Sequence, residues 1–378
     1  ATDPDMVCVP DEATLRVVPW AAESVALVIH DCRNFDGSPV ELAPRSVLRR
    51  VLAKYAERGW KPVVAPEMEF YLVARNVDPH VPLMPPMGRS GMTELGRQSY
   101  SIDAVNDFDP FFLELSAFCK THELGVETLI HEAGAGQMEI NFAHGDALEL
   151  ADRVFLFKRA VRETALRHGI FATFMAKPME TEPGSAMHVH QSVVDAATGR
   201  NIFTNEDGSP SPLFFHFIGG LERYVPPAML MFAPHVNSYR RLSRFQSAPM
   251  NVHWGYDNRT CGIRVPNSAP ANRRVENRVI GADANPYLAL AVTLACGYLG
   301  MLDAVEPSQM VEVSAYDMPV ELPQGLPEAL NLLRGEASLR EVLGERFIDV
   351  YSAIKELEHQ EFMTVISPWE REHLLLHV

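Results

Sequence analysis

Glu67 and Glu69 stand two apart in PEMEF, beside the apolar residues Phe70, Tyr71 and Leu72. On a strand that spacing sends both carboxylates to one face. Glu132 and Glu139 bound the stretch EAGAGQME, whose glycines permit a turn that folds the two acids toward each other. His188 in GSAMHVH and Glu276 in RRVENR also fall in strand-like segments. Five carboxylates and an imidazole directed into one cavity would repel one another unless cations stood between them. Mg²⁺ or Mn²⁺ suits such oxygen-rich ligands with one histidine. A half-exposed strand also alternates polar residues, and a lone histidine is as readily a satisfied core residue, so no single group selects the metal reading. Their recurrence does, because carboxylates are seldom buried without partners.

A second set of residues is basic: Arg240, Arg241 and Arg244 in NSYRRLSRF, Arg259 and Arg264 in DNRTCGIRVP, and Arg273, Arg274 and Arg278 in PANRRVENR. On a strand Arg274, Glu276 and Arg278 share a face. Guanidinium groups among metal-binding carboxylates describe a site for phosphoryl transfer, where arginine and metal together neutralise the moving phosphate. The competing reading is surface arginines paired with an acidic excess. No GxGxxG or GxxxxGK[ST] loop occurs, so a nucleotide would be held by other means.

The elements that must position these groups read as follows. VPWAAESVALVIHDCRNFDGSPVEL resembles a hairpin with an Asp36-Gly37 turn. A helix begins near Pro44, and KPVVAPEMEFYLV follows it as a strand. FDPFFLELSAFCKTHELG and LELADRVFLFKRAVRETALRHG read as helices on either side of two strands joined through Gly134 and Gly136. FATFMAKPM, SAMHVHQSVVD, NVHWGYDNRTCGIRVP and RRVENRVIG are strand-like, ANPYLALAVTLACGYLGML is a buried helix, and RFIDVYSAIKELEHQEFM is a late one. Without a regular βαβ rhythm, the pattern favours an α+β fold.

With 378 residues, 47% of them hydrophobic, the chain can bury a large core. No linker or repeat divides it, so one large domain with a small appendage is expected. The 33 basic against 49 acidic residues give a charge of −16, which opposes binding to nucleic acid or anionic membrane. Small molecules are the expected partners. Cys8, Cys32, Cys119, Cys261 and Cys296 form no CxxC pair, so neither a zinc site nor a disulfide framework is suggested, and a reducing cytoplasm fits. The start ATDPDMV, without Met, reads as trimmed or internal.

The motifs PEMEF, HEAGAGQMEINF, FMAKPM with GSAMHVH, NSYRRL, NRTCGIRVP, and RRVENR with ANPYLA resemble, in order and over nearly the whole chain, the glutamine synthetase superfamily. The resemblance implies a catalytic domain over 44–378 whose curved antiparallel sheet forms half of a funnel, preceded at 1–43 by the C-terminal part of a small β-grasp domain. It also implies stacked rings of subunits, usually twelve, with each site between neighbouring chains. By the same resemblance Glu69, Glu132 and Glu139 hold a first metal, and Glu67, His188 and Glu276 a second. Gly184 and Arg241 match positions that hold glutamate, Arg259, Arg264 and Arg278 those around its carboxylates and the transferring phosphate, and His190, Ser192 and Arg274 those that contact ATP. The implied reaction phosphorylates the γ-carboxylate of glutamate, and a nitrogen nucleophile then displaces phosphate.

Departures from the family pattern bear on the nucleophile. Ammonia-using members carry a flap glutamate after the NSYKRL-like motif, whereas the aligned run here, RFQSAP, has Ser247. A neutral, larger nitrogen pocket suits a bulkier amine such as a polyamine or monoamine, and Tyr100 matches a residue near that pocket. NVHWGYDNRT and SPWEREHLLLHV resemble γ-glutamylputrescine synthetases and related glutamate–amine ligases. Ordinary glutamine synthetase using ammonium is the first alternative, and an inert structural or regulatory homologue the second. The family's latch aspartate would lie upstream of ATDPDMV, and Asp36 in FDGSP belongs to the hairpin instead. Either the biological chain is longer, or this version leaves its sites incomplete. Asp5 matches a further acidic position that acts across the subunit boundary, and Tyr316 in AYDMP matches a modified tyrosine of some bacterial members, although a plain exposed loop would also carry it.

Overall fold

The computed structural model describes residues 5–94, 96–243 and 248–376. Four short strands come first: β1 (Val7–Pro10), β2 (Arg16–Val17), β3 (Ala26–Leu27) and β4 (His30–Arg33). Helix α1 (Pro44–Ala56) leads into the long strand β5 (Trp60–Ala74), and α2 (Ile102–Asn106) and α3 (Asp109–Thr121) follow. Next come β6 (Val126–His131), β7 (Gln137–Phe142), β8 (Gly145–Asp146), α4 (Ala147–Arg167), β9 (Ile170–Thr173) and β10 (Met187–Asp195). After α5 (Pro212–Phe232) and α6 (Ser238–Arg241) lie β11 (Trp254–Tyr256), β12 (Ile263–Val265) and β13 (Val275–Asn277). Helices α7 (Pro286–Leu302), α8 (Leu326–Gly335), α9 (Ala337–Leu343), α10 (Glu345–Phe362) and α11 (Pro368–Leu374) close the described chain.

Nine strands form one sheet in the order β11-β12-β13-β10-β5-β7-β6, with β8 and β9 also paired to β5. All pairs are antiparallel except β11 with β12, so the sheet is mixed rather than wholly antiparallel. β5 is its spine because period-2 alternation divides the strand into two faces. Met68, Phe70 and Leu72 are fully buried on one side, and each such side chain stabilises the fold by about 1.5–3 kcal/mol. On the other side stand Glu67 and Glu69. The helices α1, α4 and α7 pack against the apolar side and one another.

A buried polar cluster pins this helical layer to the sheet. The side-chain amides of Gln191 on β10 and Asn277 on β13 both donate to Thr293 Oγ1 on α7, at 2.9 and 3.0 Å. A one-residue slip of either strand would strand those donors, so the network holds the register that sets His190 opposite Glu276. The polar residues on the apolar face therefore serve the site on the other one.

Two features depart from the sequence expectation. The hairpin around Asp36-Gly37 shrinks to a single bridge between Arg33 and Pro39, because β4 pairs instead with β1, and β2 with β3. The sequence reading assigns no element to 212–232, and α5 runs through it in spite of Gly219, Gly220, Pro226 and Pro227, residues that disfavour a helix locally. Burial explains it: α5 lies so close to α7 that a Cβ on Gly220 would meet Cys296 O at 2.4 Å. Glycine here is a packing residue. The segment before α1 is tied down by Arg45, whose buried guanidinium reaches Asp11, Asp31 and Asp152 at 2.6–2.8 Å. No helix among the described residues is long and apolar enough to cross a membrane.

Leaving one buried donor unsatisfied costs about 1–3 kcal/mol, and Thr293→Val would orphan two while conserving volume. Denaturant unfolding should show a stability loss of that order or more; an unchanged midpoint would refute the pinning role.

Candidate active site

Register assembles the site. Across β5 and β7, Glu69 faces Glu139 and Glu67 faces Asn141; across β5 and β10, Glu67 faces His188; across β10 and β13, His190 faces Glu276; and across β12 and β13, Arg264 faces Glu276. Directly opposed residues project to the same side of a sheet. Five strands distant in sequence therefore gather one polar face from residues spread between 67 and 276.

The contacts within that face are short. His190 Nε2 donates to Glu67 Oε1 at 2.8 Å while its Nδ1 accepts from Arg274 Nε at 3.2 Å, an arrangement that assigns the proton to Nε2. His188 Nδ1 lies 3.5 Å from Glu67, 3.8 Å from Glu276 and 4.0 Å from Glu69. Glu276, fully buried, accepts from Arg264 at 2.7 Å and Arg278 at 2.5 Å. Glu69 accepts from the Ala186 N–H at 2.8 Å and from Gln137 Nε2 at 3.2 Å. Ligand atoms of Glu67, His190 and Glu276, and likewise of Glu67, Glu139 and His188, lie within 4.8 Å of one another. Donors of this type at this spacing fit a hard divalent cation.

Charge divides the acids into two classes. Burial opposes ionisation of Glu67, but hydrogen bonds from the two imidazoles outweigh it and hold its carboxyl far below the usual range. Burial likewise opposes ionisation of Glu276, and Arg278 with the histidines overcomes it, leaving a value of about 2. Burial and the repulsion of neighbouring carboxylates push Glu69 and Glu139 well up, and at Glu69 the opposing pull of Arg241 and Arg278 does not overcome them. Burial, then Arg278, lowers His188 to about 4, so it is neutral at pH 7 and free to act as a ligand. The metal-free site thus carries an excess of negative charge that protons relieve.

Two cavities meet here. The first, about 220 Å³, is lined by Glu67, Glu69, Glu132, Glu139, His188 and Gly184, and also by Arg241, Arg259, Arg278 and Tyr100. The second, about 570 Å³, is lined by His190, Ser192 and Arg274 together with Glu67 and Asn141. Glu67 and Asn141 belong to both, and the buried Asn141 Oδ1 has no partner. Gly184 is required by a close approach: a Cβ there would meet Arg241 Cγ at 2.5 Å. Arg241 is itself held by the carbonyls of Val279 and Arg278 at 2.8 and 2.9 Å. Tyr100, exposed at the rim, takes a positive φ of 64°, and its N–H donates to His131 O.

Most of the residues singled out by the sequence are brought together, and a few are not. Glu276 and Arg264 line neither cavity but bond each other, and Arg278 links Glu276 to the first. Asp5 is exposed and lines neither cavity of its own chain. Ser247 and Arg244 lie outside the described residues. Tyr316 is half-buried in the turn Ala315–Asp317 rather than on an open loop. Sequence reasoning passed over Gln137 and Asn141, although the signal was present: in QMEIN both stand two residues from Glu139 and so share its face.

The raised carboxyls give a sign to the pH dependence. Where the folded state holds a proton more tightly than the unfolded one, the stabilisation is complete below the unfolded value and is lost as pH rises through the folded one. Metal-free protein should therefore melt progressively lower as pH is raised from about 5 to about 9, and Mn²⁺ should stabilise it more at the alkaline end. Calorimetry with and without Mn²⁺ reads both trends, and Glu139→Gln should flatten them; a flat wild-type profile would contradict the charge excess.

The chain was compared with known proteins. The glutamine synthetase catalytic domain matches residues 41–374. Gamma-glutamylputrescine synthetase PuuA of Escherichia coli is 37% identical over 99% of this chain and 79% of its own length. Glutamate–isopropylamine ligase of a Pseudomonas species is 33% identical over 97% and 80%, and glutamine synthetase of Pyrococcus abyssi is 36% identical over 98% and 82%. Among solved structures, GmaS without ligand superposes with a TM-score of 0.87 at 30% identity, covering 99% of this chain and 86% of that one. Its paired acids, its arginines and its sheet all accord with these matches: the chain belongs to the glutamine synthetase family.

Proposed function

We propose that this protein joins the γ-carboxylate of glutamate to an amine at the expense of ATP, through a γ-glutamyl phosphate. The observation that carries the reading is the pair of cavities meeting at Glu67 and Asn141. A carboxylate is a poor electrophile at neutral pH and must first receive a better leaving group, so acid and phosphate donor have to meet at a shared, charge-neutralised boundary. The smaller cavity, with Arg241, Arg259 and Gly184, suits glutamate. The larger, with His190, Ser192 and Arg274, suits ATP.

Glu69, Glu132 and Glu139 are assigned to one divalent cation and Glu67, His188 and Glu276 to another. His190 stands close enough to Glu67 and Glu276 to share the second position. Bound there, Mg²⁺ or Mn²⁺ supplies positive charge against the phosphate oxygens. Arg264 and Arg278 engage both oxygens of Glu276, so a cation held by this carboxylate would share it with the two arginines, whose charge would then stand close to the transferring group. Arg259 and Arg278 stabilise the glutamate carboxylates and the transferring group. The neutral His188 contributes a lone pair without adding repulsion.

An amine is preferred to ammonium as nucleophile. Ser247 stands where ammonium-using members carry an acid, Tyr100 offers an aromatic surface at the cavity rim, and two of the relatives are named for putrescine and isopropylamine. Ammonium is the second reading, supported by a nearly equal identity to a glutamine synthetase. The segment 1–43 is assigned to the end of a small N-terminal domain, and the working enzyme to a cytoplasmic assembly of stacked rings, built of twelve chains in the family's manner, in which Asp5 would serve a neighbouring site.

Phosphate release from ATP in the presence of glutamate and Mg²⁺ or Mn²⁺ should be stimulated by one or more of a panel of diamines and monoamines, and weakly by ammonium; stimulation by ammonium alone would select the second reading. Glu69→Ala and Arg264→Ala should each lower turnover by at least about 100-fold, the scale of losing one transition-state contact, while circular dichroism stays native. Equal turnover in Glu69→Ala would defeat the metal assignment. Ser247→Glu should raise the rate with ammonium relative to the rate with the best amine, and an unchanged ratio would reject the flap argument.

A further inference from the structure

Cys8 and Cys32 are 24 positions apart in sequence, yet β1 and β4 set them directly opposite each other. The hydrogen-bond phase of this ladder can be worked out. Asp11 donates its N–H to Ile29 O at 2.8 Å, so residues 11 and 29 are a hydrogen-bonded pair. Antiparallel pairs alternate, which makes 10 with 30 non-bonded, 9 with 31 bonded, and 8 with 32 non-bonded. Val40 confirms the phase from the other side: its N–H donates to Cys32 O at 2.9 Å, so the Cys32 backbone faces away from β1. In a non-hydrogen-bonded pair the Cα atoms are about 4.5 Å apart and the side chains are at their closest. A disulfide accepts Cα separations of about 4.4–6.8 Å, so the bridge needs no large backbone movement.

The two side chains leave the same face of the ladder as cross-strand neighbours. Burial raises the Cys32 thiol, and the adjacent Cys8 thiol raises it further. Cys8 is exposed, Cys32 is partly covered, and Cys119, Cys261 and Cys296 are buried. Their access differs, and so do their roles.

We propose that Cys8 and Cys32 form a reversible dithiol–disulfide site, with exposed Cys8 as the attacking thiol and Cys32 as the resolving one. The oxidant is a low-molecular-weight disulfide. Cys8, as thiolate, attacks one of its sulfurs and expels the first small thiol, which takes up the proton that Cys8 lost. Cys32 then loses its proton and attacks the Cys8 sulfur, closing the protein disulfide and releasing the second small thiol. Two protein thiols are oxidised and one small disulfide is reduced to two thiols. The bridge would fasten β1 to β4 between Asp5 and the aspartates Asp11 and Asp31 that grip Arg45. Oxidation thereby adds a covalent tie within a segment otherwise joined to the helices by noncovalent contacts alone, among them the Arg45 cluster and the packing of Trp20 on Phe118. Such pairs in reducing compartments are characteristically transient and redox-responsive.

The test equilibrates the full chain with oxidised glutathione, then counts thiols and maps peptides by mass spectrometry without reduction. Two of the five thiols should disappear, a peptide linking Cys8 to Cys32 within one chain should appear, and dithiothreitol should restore both. Cys32→Ser should trap one glutathione on Cys8, the halted first step. Five titratable thiols after equilibration, a bridge between two chains, or a linkage through Cys119, Cys261 or Cys296 would each overturn the proposal. Glutathione retained on the wild type without ring closure would do the same.

Discussion

Like charges gathered in one place are the constraint on which the rest of the structure depends. Glu67, Glu69, Glu139 and Glu276 come together on one face of the sheet, with Glu132 beside them, and isolated buried carboxylates would not remain ionised at neutral pH. The protein meets the constraint by dividing the group. Glu67 and Glu276 are kept ionised by His188, His190, Arg264 and Arg278, whereas Glu69 and Glu139 are left in excess. That imbalance creates a place for cations, since a divalent ion resolves it where another arginine would fill the space that substrate needs.

Holding such a face together requires work elsewhere. The apolar side of β5 and its neighbours anchors on α1, α4 and α7, and the Gln191–Asn277–Thr293 cluster fixes β10 and β13 against α7. A slip of one residue would turn every carboxylate of a strand toward the helices. The depth of the helical layer therefore supports the site, even though none of its residues lines either of the two cavities there. The close packing of α5 on α7, possible only without side chains at Gly220 and Gly300, belongs to the same support.

The two cavities differ in character: the smaller is rich in charged side chains, and the larger is walled partly by Val63, Val64 and Phe142. Their common boundary at Glu67 and Asn141 is where, on the proposed reading, a phosphoryl group would pass between two anions. This arrangement is suited to activating a carboxylate, and on the proposed reading the nitrogen nucleophile enters at the rim, around Tyr100. Family membership accounts for the first property.

Much of this was legible in the residues themselves. Period-2 spacing announced that Glu67 and Glu69 share a face and would equally have announced Gln137, Glu139 and Asn141; the motifs identified the family and most residues around the first cavity. Helix α5 was not legible, because Gly219, Gly220, Pro226 and Pro227 disfavour a helix locally and only burial against α7 outweighs them. The hairpin at Asp36 was misjudged for a related reason: a turn signal states where the chain reverses, not which strand will pair, and β4 took β1. By itself the sequence determined which side chains could carry charge and which neighbours on a strand point the same way, since those follow from local backbone geometry. Only the tertiary structure decided that His190 faces Glu276, that Glu276 is clamped between Arg264 and Arg278, and that Cys8 meets Cys32, because pairing between distant strands is selected by the packing of whole faces and leaves no trace in the spacing along either strand.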